Sequence, residues 1–272
     1  MKTGICKMCL EEKNLIESHL IPRGVYSLLG TEESDPIKIS ADVIMQTSRQ
    51  TKTYLLCKEC DNLLNKCGET WVIPKLMTWD KGFPLHDIIA KVPADSTEGE
   101  TAAYAAGRNA EINIEAITHF AIGIFWKASV HSGVGNKHEP RIDLGAYGDK
   151  LRRFLRDEAP FPDNVVLNVG VAPPQSMFCN ALDPHRGSSS GHRNYLFNVP
   201  GIQFVLTVGK TIDLDSRQTC FYSSPLHMLI VTDLSKPMFE LYRKQSARAR
   251  KSKKLIEYLA TMTPKARGPR SL

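Results

Sequence analysis

Two Cys-x-x-Cys pairs, Cys6-Lys7-Met8-Cys9 and Cys57-Lys58-Glu59-Cys60, constrain the fold of this chain more than any other feature. A two-residue gap lets one tight turn aim both sulfurs at the same point, and two such pairs supply the four thiolates of a tetrahedral zinc ion. Four thiolates leave no open coordination position, so the expected Zn2+ is structural and holds a scaffold. Unrelated buried thiols or two disulfides form the competing reading. Disulfides across a two-residue gap are mostly redox motifs, however, and nothing around either pair looks like a thioredoxin unit.

At 272 residues and 42% hydrophobic content, two domains are the natural expectation. The small, acidic, proline-containing stretch Pro93-Ala94-Asp95-Ser96-Thr97-Glu98-Gly99-Glu100 marks the expected linker, giving domains 1–95 and 96–272. Met1-Lys2-Thr3-Gly4 leads straight into the first cysteine pair without an apolar segment, and no run approaches eighteen apolar residues. Neither a signal peptide nor a membrane span is therefore expected. Seven cysteines, an odd number dominated by the two pairs, fit a reducing cytoplasm. The remaining three, Cys67, Cys179 and Cys220, read as small core hydrophobes.

Asn14 to Pro22 reads as a strand ending at proline, and Thr51 to Leu56 as a second strand leading into the second cysteine pair. Between them lies a long mixed segment with a short helix around Val25 to Leu29. Asp61 is expected to cap a short helix with Leu63, Leu64 and Cys67 inward, while Asn62, Asn65, Lys66 and Glu69 share the other face. Gly68 is expected to end it early. Ile112 to Val130 reads as the central helix of a second core, and Lys150 to Asp157 as a shorter basic helix. Val165–Val171, Tyr195–Val199, Ile202–Val208 and Met228–Val231 are expected strands of a mostly antiparallel sheet. A last helix is expected from Pro237 toward Met262, docked through Leu255, Ile256, Leu259 and Met262.

The order of cysteine pair, strand with Glu17-Ser18-His19-Leu20-Ile21-Pro22, long loop, Leu55-Leu56-Cys57-Lys58-Glu59-Cys60 and short helix resembles the zinc-containing HNH, or His-Me finger, endonucleases. The resemblance covers roughly the first 70 residues. It implies a zinc-stapled, treble-clef-like ββα module, followed here by a larger mixed α+β domain. It also implies metal-dependent phosphodiester hydrolysis, with His19 as general base on a water. An imidazole suits that role because its ordinary pKa, about 6.5, lies near neutral pH. The implied Mg2+ or Mn2+ ion would take oxygen ligands from Asp61, Asn62, Asn65 or Glu69, with Glu17 a lesser donor. Three positions depart from the family pattern. Ser18 stands where an Asp or His often precedes the base, no Asn occurs between residues 21 and 60, and Asp61 follows the last cysteine in place of the common histidine.

The net charge of +6 is uneven: from Arg243 onward there are ten basic residues against Glu257 alone, leaving the first 242 residues at −3. Arg243, Lys244, Arg248, Arg250, Lys251, Lys253 and Lys254 would attract a polyanion through counterion release without reading sequence. Nucleic acid is the expected partner, DNA ahead of RNA, with no membrane and with room for a homodimer or a partner protein. The segment from Asp183 to Arg193, with two histidines, two arginines and three serines, is either a phosphate-holding loop or an exposed flexible one. His131 and His138 flank a similar stretch. The sequence thus reads as an α+β endonuclease of HNH type, by analogy in a mobile-element or antiphage-defence setting. The alternative is a degenerate zinc module that binds nucleic acid or protein without cutting.

Overall fold

The structure is a computed structural model that describes residues 2–30, 35–39, 42–80, 82–131, 142–176, 178–187 and 192–262. The first hairpin, β1 (Lys2–Ile5) and β2 (Glu12–His19), turns through the first cysteine pair, and α1 (Arg23–Ser27) follows Pro22. After β3 (Ile37–Ile39) and β4 (Val43–Gln46) come β5 (Lys52–Cys57) and α2 (Lys58–Leu64). That helix runs on through a π turn (Asn65–Glu69), α3 (Thr70–Val72) and a 3-10 turn (Ile73–Lys75). Next are α4 (Pro84–Ile89), β6 (Ser96–Glu98), β7 (Thr101–Ala105), α5 (Ile114–Val130), α6 (Tyr147–Leu155) and β8 (Val165–Val171). The chain continues through β9 (Leu182–Arg186), β10 (Arg193–Val199), β11 (Ile202–Val208), α7 (Leu214–Gln218), β12 (Met228–Val231), α8 (Ser235–Ser246), β13 (Arg250–Lys251) and α9 (Lys253–Met262). The class is mixed α+β. Among the described residues no helix is long and apolar enough to cross a membrane.

The chain divides into two compact units: Met1–Leu29 with Gln50–Ser235, and Gly30–Arg49 with Lys236–Leu272. The expected cut near residue 95 falls inside the first unit. The acidic stretch around it is the edge hairpin β6–β7, held by Asp95, whose carboxylate accepts from the Ala105 amide at 2.7 Å.

The first unit contains the sheet β1-β2-β5, antiparallel throughout, and the seven-stranded sheet β6-β7-β12-β8-β11-β10-β9. The larger sheet is antiparallel except where β12 runs parallel to β8. The pairing β8–β11–β10 matches alternating Val, Leu and Phe positions to one buried face, as a period of two requires. Helix α5 lies against that face through Phe120 on Phe204 (6.0 Å between ring centroids) and Phe125 on Phe197 (4.8 Å). The helix also packs against the π turn. A Cβ placed on Gly68 would lie 2.7 Å from the Phe120 amide nitrogen, so the missing side chain is what lets the two backbones approach. Covered by the sheet and by the π turn, α5 is apolar almost all round, as such a helix must be.

Several local expectations change for the same reason. Asn113 caps α5 by accepting from the Ala116 amide at 2.8 Å, whereas α2 has Cys57 at its N-cap, which places Asp61 inside its first turn rather than at its cap. Gly68 continues the helix. The wide π turn shifts the phase, turning Gly68 and Glu69 inward and leaving Cys67 exposed.

In the second unit, β3 and β4 form a hairpin and β13 pairs in parallel with β4, Arg250 opposite Val43 and Lys251 opposite Ile44. The expected single terminal helix is therefore two helices separated by a strand, because the ladder captures Arg250 and Lys251. Leu255 is buried, but Ile256 and Leu259 are exposed, so α9 docks by its first turn; the side chain of Met262 lies outside the described residues.

Candidate functional site

The four sulfurs of Cys6, Cys9, Cys57 and Cys60 lie within 4.8 Å of one another, with Cys9 and Cys57 4.0 Å apart. A tetrahedral zinc with bonds of about 2.3 Å needs sulfurs about 3.8 Å apart, so the donor set is compatible with a zinc site. Local backbone geometry explains the convergence. Leu10 takes a left-handed φ of 65°, which is strained for a branched residue, and its amide closes the turn on the Cys6 carbonyl at 2.9 Å. The second turn is the start of α2, whose first turn carries Cys60.

Burial presses the Cys57 thiol up to about 11 and raises Cys60 as well, the latter helped by its sulfur neighbours. Burial also presses on Cys6, but the amides of Cys9, Cys57 and Met8 aimed at its sulfur outweigh it and bring the thiol down to about 7. The Cys57 amide donates to it at 3.3 Å. Crowded thiols of this kind release protons when a cation binds among them. Helix α6 braces the cluster from outside: Arg152 donates to the Met8 carbonyl at 3.0 Å, and Arg156 approaches the Cys60 sulfur at 3.9 Å. The signal was present in the sequence, since Arg152 and Arg156 are four residues apart and share a helix face.

His19 ends β2, half-buried, where its pairing with Lys52 is the last rung of the β2–β5 ladder. Burial pushes its imidazole below the ordinary value, and the charges of Lys127, Lys52 and Arg23 push the same way, opposed by Asp61. The His19 main-chain carbonyl accepts from the Lys127 ammonium at 2.9 Å. That ammonium, with a side chain only 4% exposed, also pairs with the Glu69 carboxylate at 3.6 Å. Burial raises Glu69, Lys127 draws it back, and both Asp61 and Asn65 act on it as well. Lys127 carried no signal in the sequence beyond being a charge inside an apolar helix.

Of the expected site residues, the structure thus brings His19, Asp61, Asn65 and Glu69 into one electrostatic neighbourhood. Glu69 is turned inward, away from the helix face it was expected to share with Asn62 and Asn65, and is engaged by Lys127. Asn62 and Asn65 are exposed, and Asn65 accepts from the Thr70 hydroxyl at 3.0 Å. Glu17 is paired with Lys52. Ser18 is buried, and its hydroxyl has no hydrogen-bond partner among the described residues. Among the described residues the four cysteines are the only group of three or more His, Cys, Asp or Glu whose ligand atoms converge.

The segment from Asp183 to Arg193 is framed by β9 and β10, with His185 bonding the Asp183 carbonyl at 3.1 Å; Ser188 to Gly191 lie outside the described residues. His131 is buried, and His138 is also outside the described residues.

The second unit carries thirteen Lys and Arg against six Asp and Glu, a net +7, so the first unit is nearly neutral. Arg243 is paired with Glu240, Lys253 with Glu257 and Lys254 with Asp35. Lys244, Arg248, Arg250 and Lys251 are exposed, the last two on the edge strand β13.

No family model matches the chain, and neither a curated protein nor a solved structure matches it.

Proposed function

We propose that the chain is a zinc-stapled endonuclease of HNH type that hydrolyses phosphodiesters, with DNA as the favoured substrate. One observation carries this reading: β2 pairs antiparallel with β5, which leads directly into α2, with the four cysteines clustered and His19 ending β2 within the field of Asp61 on α2. Zinc held by Cys6, Cys9, Cys57 and Cys60 is structural in this scheme.

His19, kept neutral by burial and by the surrounding cations, takes a proton from the attacking water while a P–O bond of the backbone breaks. Mg2+ is commonly held by one or two carboxylates together with substrate phosphates, and Asp61, half-buried beside His19, is the carboxylate suited to that. A bound Mg2+ or Mn2+ would supply charge stabilisation at the leaving oxygen. Glu69 is less suited, because Lys127 already neutralises it. Of the seven expected basic residues, Lys244, Arg248, Arg250 and Lys251 are exposed with no acidic partner among the described residues and so suit backbone phosphates, whereas Arg243, Lys253 and Lys254 have acidic partners of their own.

Plasmid cleavage with added Mg2+ or Mn2+, comparing wild type with His19→Ala, tests this reading. Cleavage by the wild type and its loss in the variant are expected; cleavage unchanged by the substitution would remove the mechanism. A second reading, a zinc module that binds nucleic acid without cutting, is favoured by Ser18, whose short side chain is buried and carries neither carboxylate nor imidazole beside the base. Binding without cleavage by the wild type would support that reading instead.

A further inference from the structure

Lys127 is the one charged residue among the buried positions of α5. Lysine is almost never buried without a partner, and this one has two, from different parts of the first unit: the Glu69 carboxylate and the His19 main-chain carbonyl. Stability alone does not explain the arrangement, because replacing a buried ion pair by apolar side chains of similar volume is often neutral or stabilising. The carboxylate at 3.6 Å does not exhaust the three N–H donors of the ammonium, and the acceptor it also engages is the His19 carbonyl.

His19 occupies the last rung of the β2–β5 ladder, next to the turn at Leu20 and Ile21; in the peptide that follows it the Leu20 amide donates to the Thr51 carbonyl at 3.0 Å and the His19 carbonyl accepts from Lys127. We infer that Lys127 is a positioning residue for His19: its ammonium, neutralised by Glu69, pins the His19 peptide and thereby sets the direction of the imidazole toward the reacting water. The inference rests on the hydrolytic reading above. The charged groups facing His19 are Lys52 from β5, Arg23 from the start of α1 and Asp61 from α2, besides Lys127 itself. Burial, with Lys127, Lys52 and Arg23 pushing the same way against Asp61, favours the neutral imidazole, the form that can accept a proton.

The experiment compares the full-length, zinc-loaded wild type with Lys127→Met and with Phe125→Leu, a packing change on the same helix. A displacement of about 1 Å in a reacting group can cost about a hundredfold in rate. For Lys127→Met the expected result is a fall in kcat of that order with KM for the nucleic acid unchanged, while Phe125→Leu lowers the melting temperature and leaves kcat near wild type. A Lys127→Met variant whose kcat falls no further than that of Phe125→Leu would overturn the inference. Should Lys127→Met fail to fold, the double variant Lys127→Met/Glu69→Gln removes the unpaired carboxylate and is read by the NMR resonances of the His19 ring, assigned against His19→Gln. Displaced resonances support the positioning role, and resonances coincident with wild type overturn it. If the wild type cuts nothing, the hydrolytic reading fails by itself, and the same ring resonances still decide whether Lys127 orients His19.

Discussion

Gly68 and Phe120 are in backbone contact: a Cβ on Gly68 would stand 2.7 Å from the Phe120 amide nitrogen and 2.8 Å from its Cα. Two opposing effects meet at this position. Alanine is favoured over glycine by about 1 kcal/mol inside an exposed helix. Here the clash is with main chain, which cannot rotate away, and forcing extra volume into a packed site costs about 1–3 kcal/mol. Gly68→Ala is therefore expected to destabilise the first unit, read as a lower urea midpoint at an unchanged slope. A higher midpoint would mean that the helices do not approach this closely.

The guanidinium of Arg156 beside the Cys60 sulfur, with Arg152 on the Met8 carbonyl, gives the cysteine cluster positive support from outside. Groups of this kind around a metal site are worth about 10–100-fold in affinity. We expect one zinc per chain by elemental analysis, lost in Cys60→Ser. Arg156→Ala should still bind zinc but release it to a chelator at roughly tenfold lower concentration. Equal chelator sensitivity in wild type and Arg156→Ala would show that Arg156 serves only its ion pair with Glu158.

Exposed cations that lack acidic partners should dominate polyanion binding. For duplex DNA, each phosphate neutralised contributes about 0.9 to the slope of log affinity against log salt. Replacing Lys244, Arg248, Arg250 and Lys251 together by alanine should reduce that slope by roughly three to four. The same change at Arg243, Lys253 and Lys254 should reduce it by less, because each already holds Glu240, Glu257 or Asp35. Fluorescence anisotropy over a salt series makes the comparison, and equal losses from the two sets would contradict it.

His119 on α5 donates through Nε2 to the Leu155 carbonyl at 3.1 Å, while its Nδ1 is buried with no partner among the described residues. Burial holds the imidazole below its ordinary 6.5, and the Leu155 carbonyl opposes this only in part. The unfolded chain therefore takes up the proton first. The stability tied to a neutral His119 is fully present above 6.5 and is lost as the pH falls toward the folded value. His19, His86 and His185 are shifted in the same direction and add to the loss. Glu69, raised by burial, acts in the opposite sense, stabilising at acid pH and losing that contribution as the pH rises through its folded value. The melting temperature should fall between about pH 7.5 and about pH 5.5, and by less in His119→Gln. An identical fall in the two proteins would remove His119 from the explanation.

The sequence by itself determined the short-range features. The two Cys-x-x-Cys turns, the strands Val165–Val171, Ile202–Val208 and Met228–Val231, and the long apolar helix ending at Val130 are all legible, because two-residue gaps and periods of 2 or 3.6 act between near neighbours. Position 19 was legible too, as a histidine in a strand expected to run on to Pro22, although β2 ends at His19 itself.

Only the tertiary structure decided what those features meet. Gly68 looked like a helix end until Phe120 came to lie against it, and Glu69 looked like a solvent-facing carboxylate until Lys127 turned out to be its partner. Lys127 reaches the His19 carbonyl across 108 residues of sequence. Arg250 and Lys251 left their expected helix to pair with β4, joining the basic C-terminal segment to the stretch inserted between β2 and β5. Propensity and spacing describe each segment in isolation. Close backbone approach, a buried ion pair and a strand ladder depend on which distant segment arrives alongside, and that is set by the packing of the whole chain.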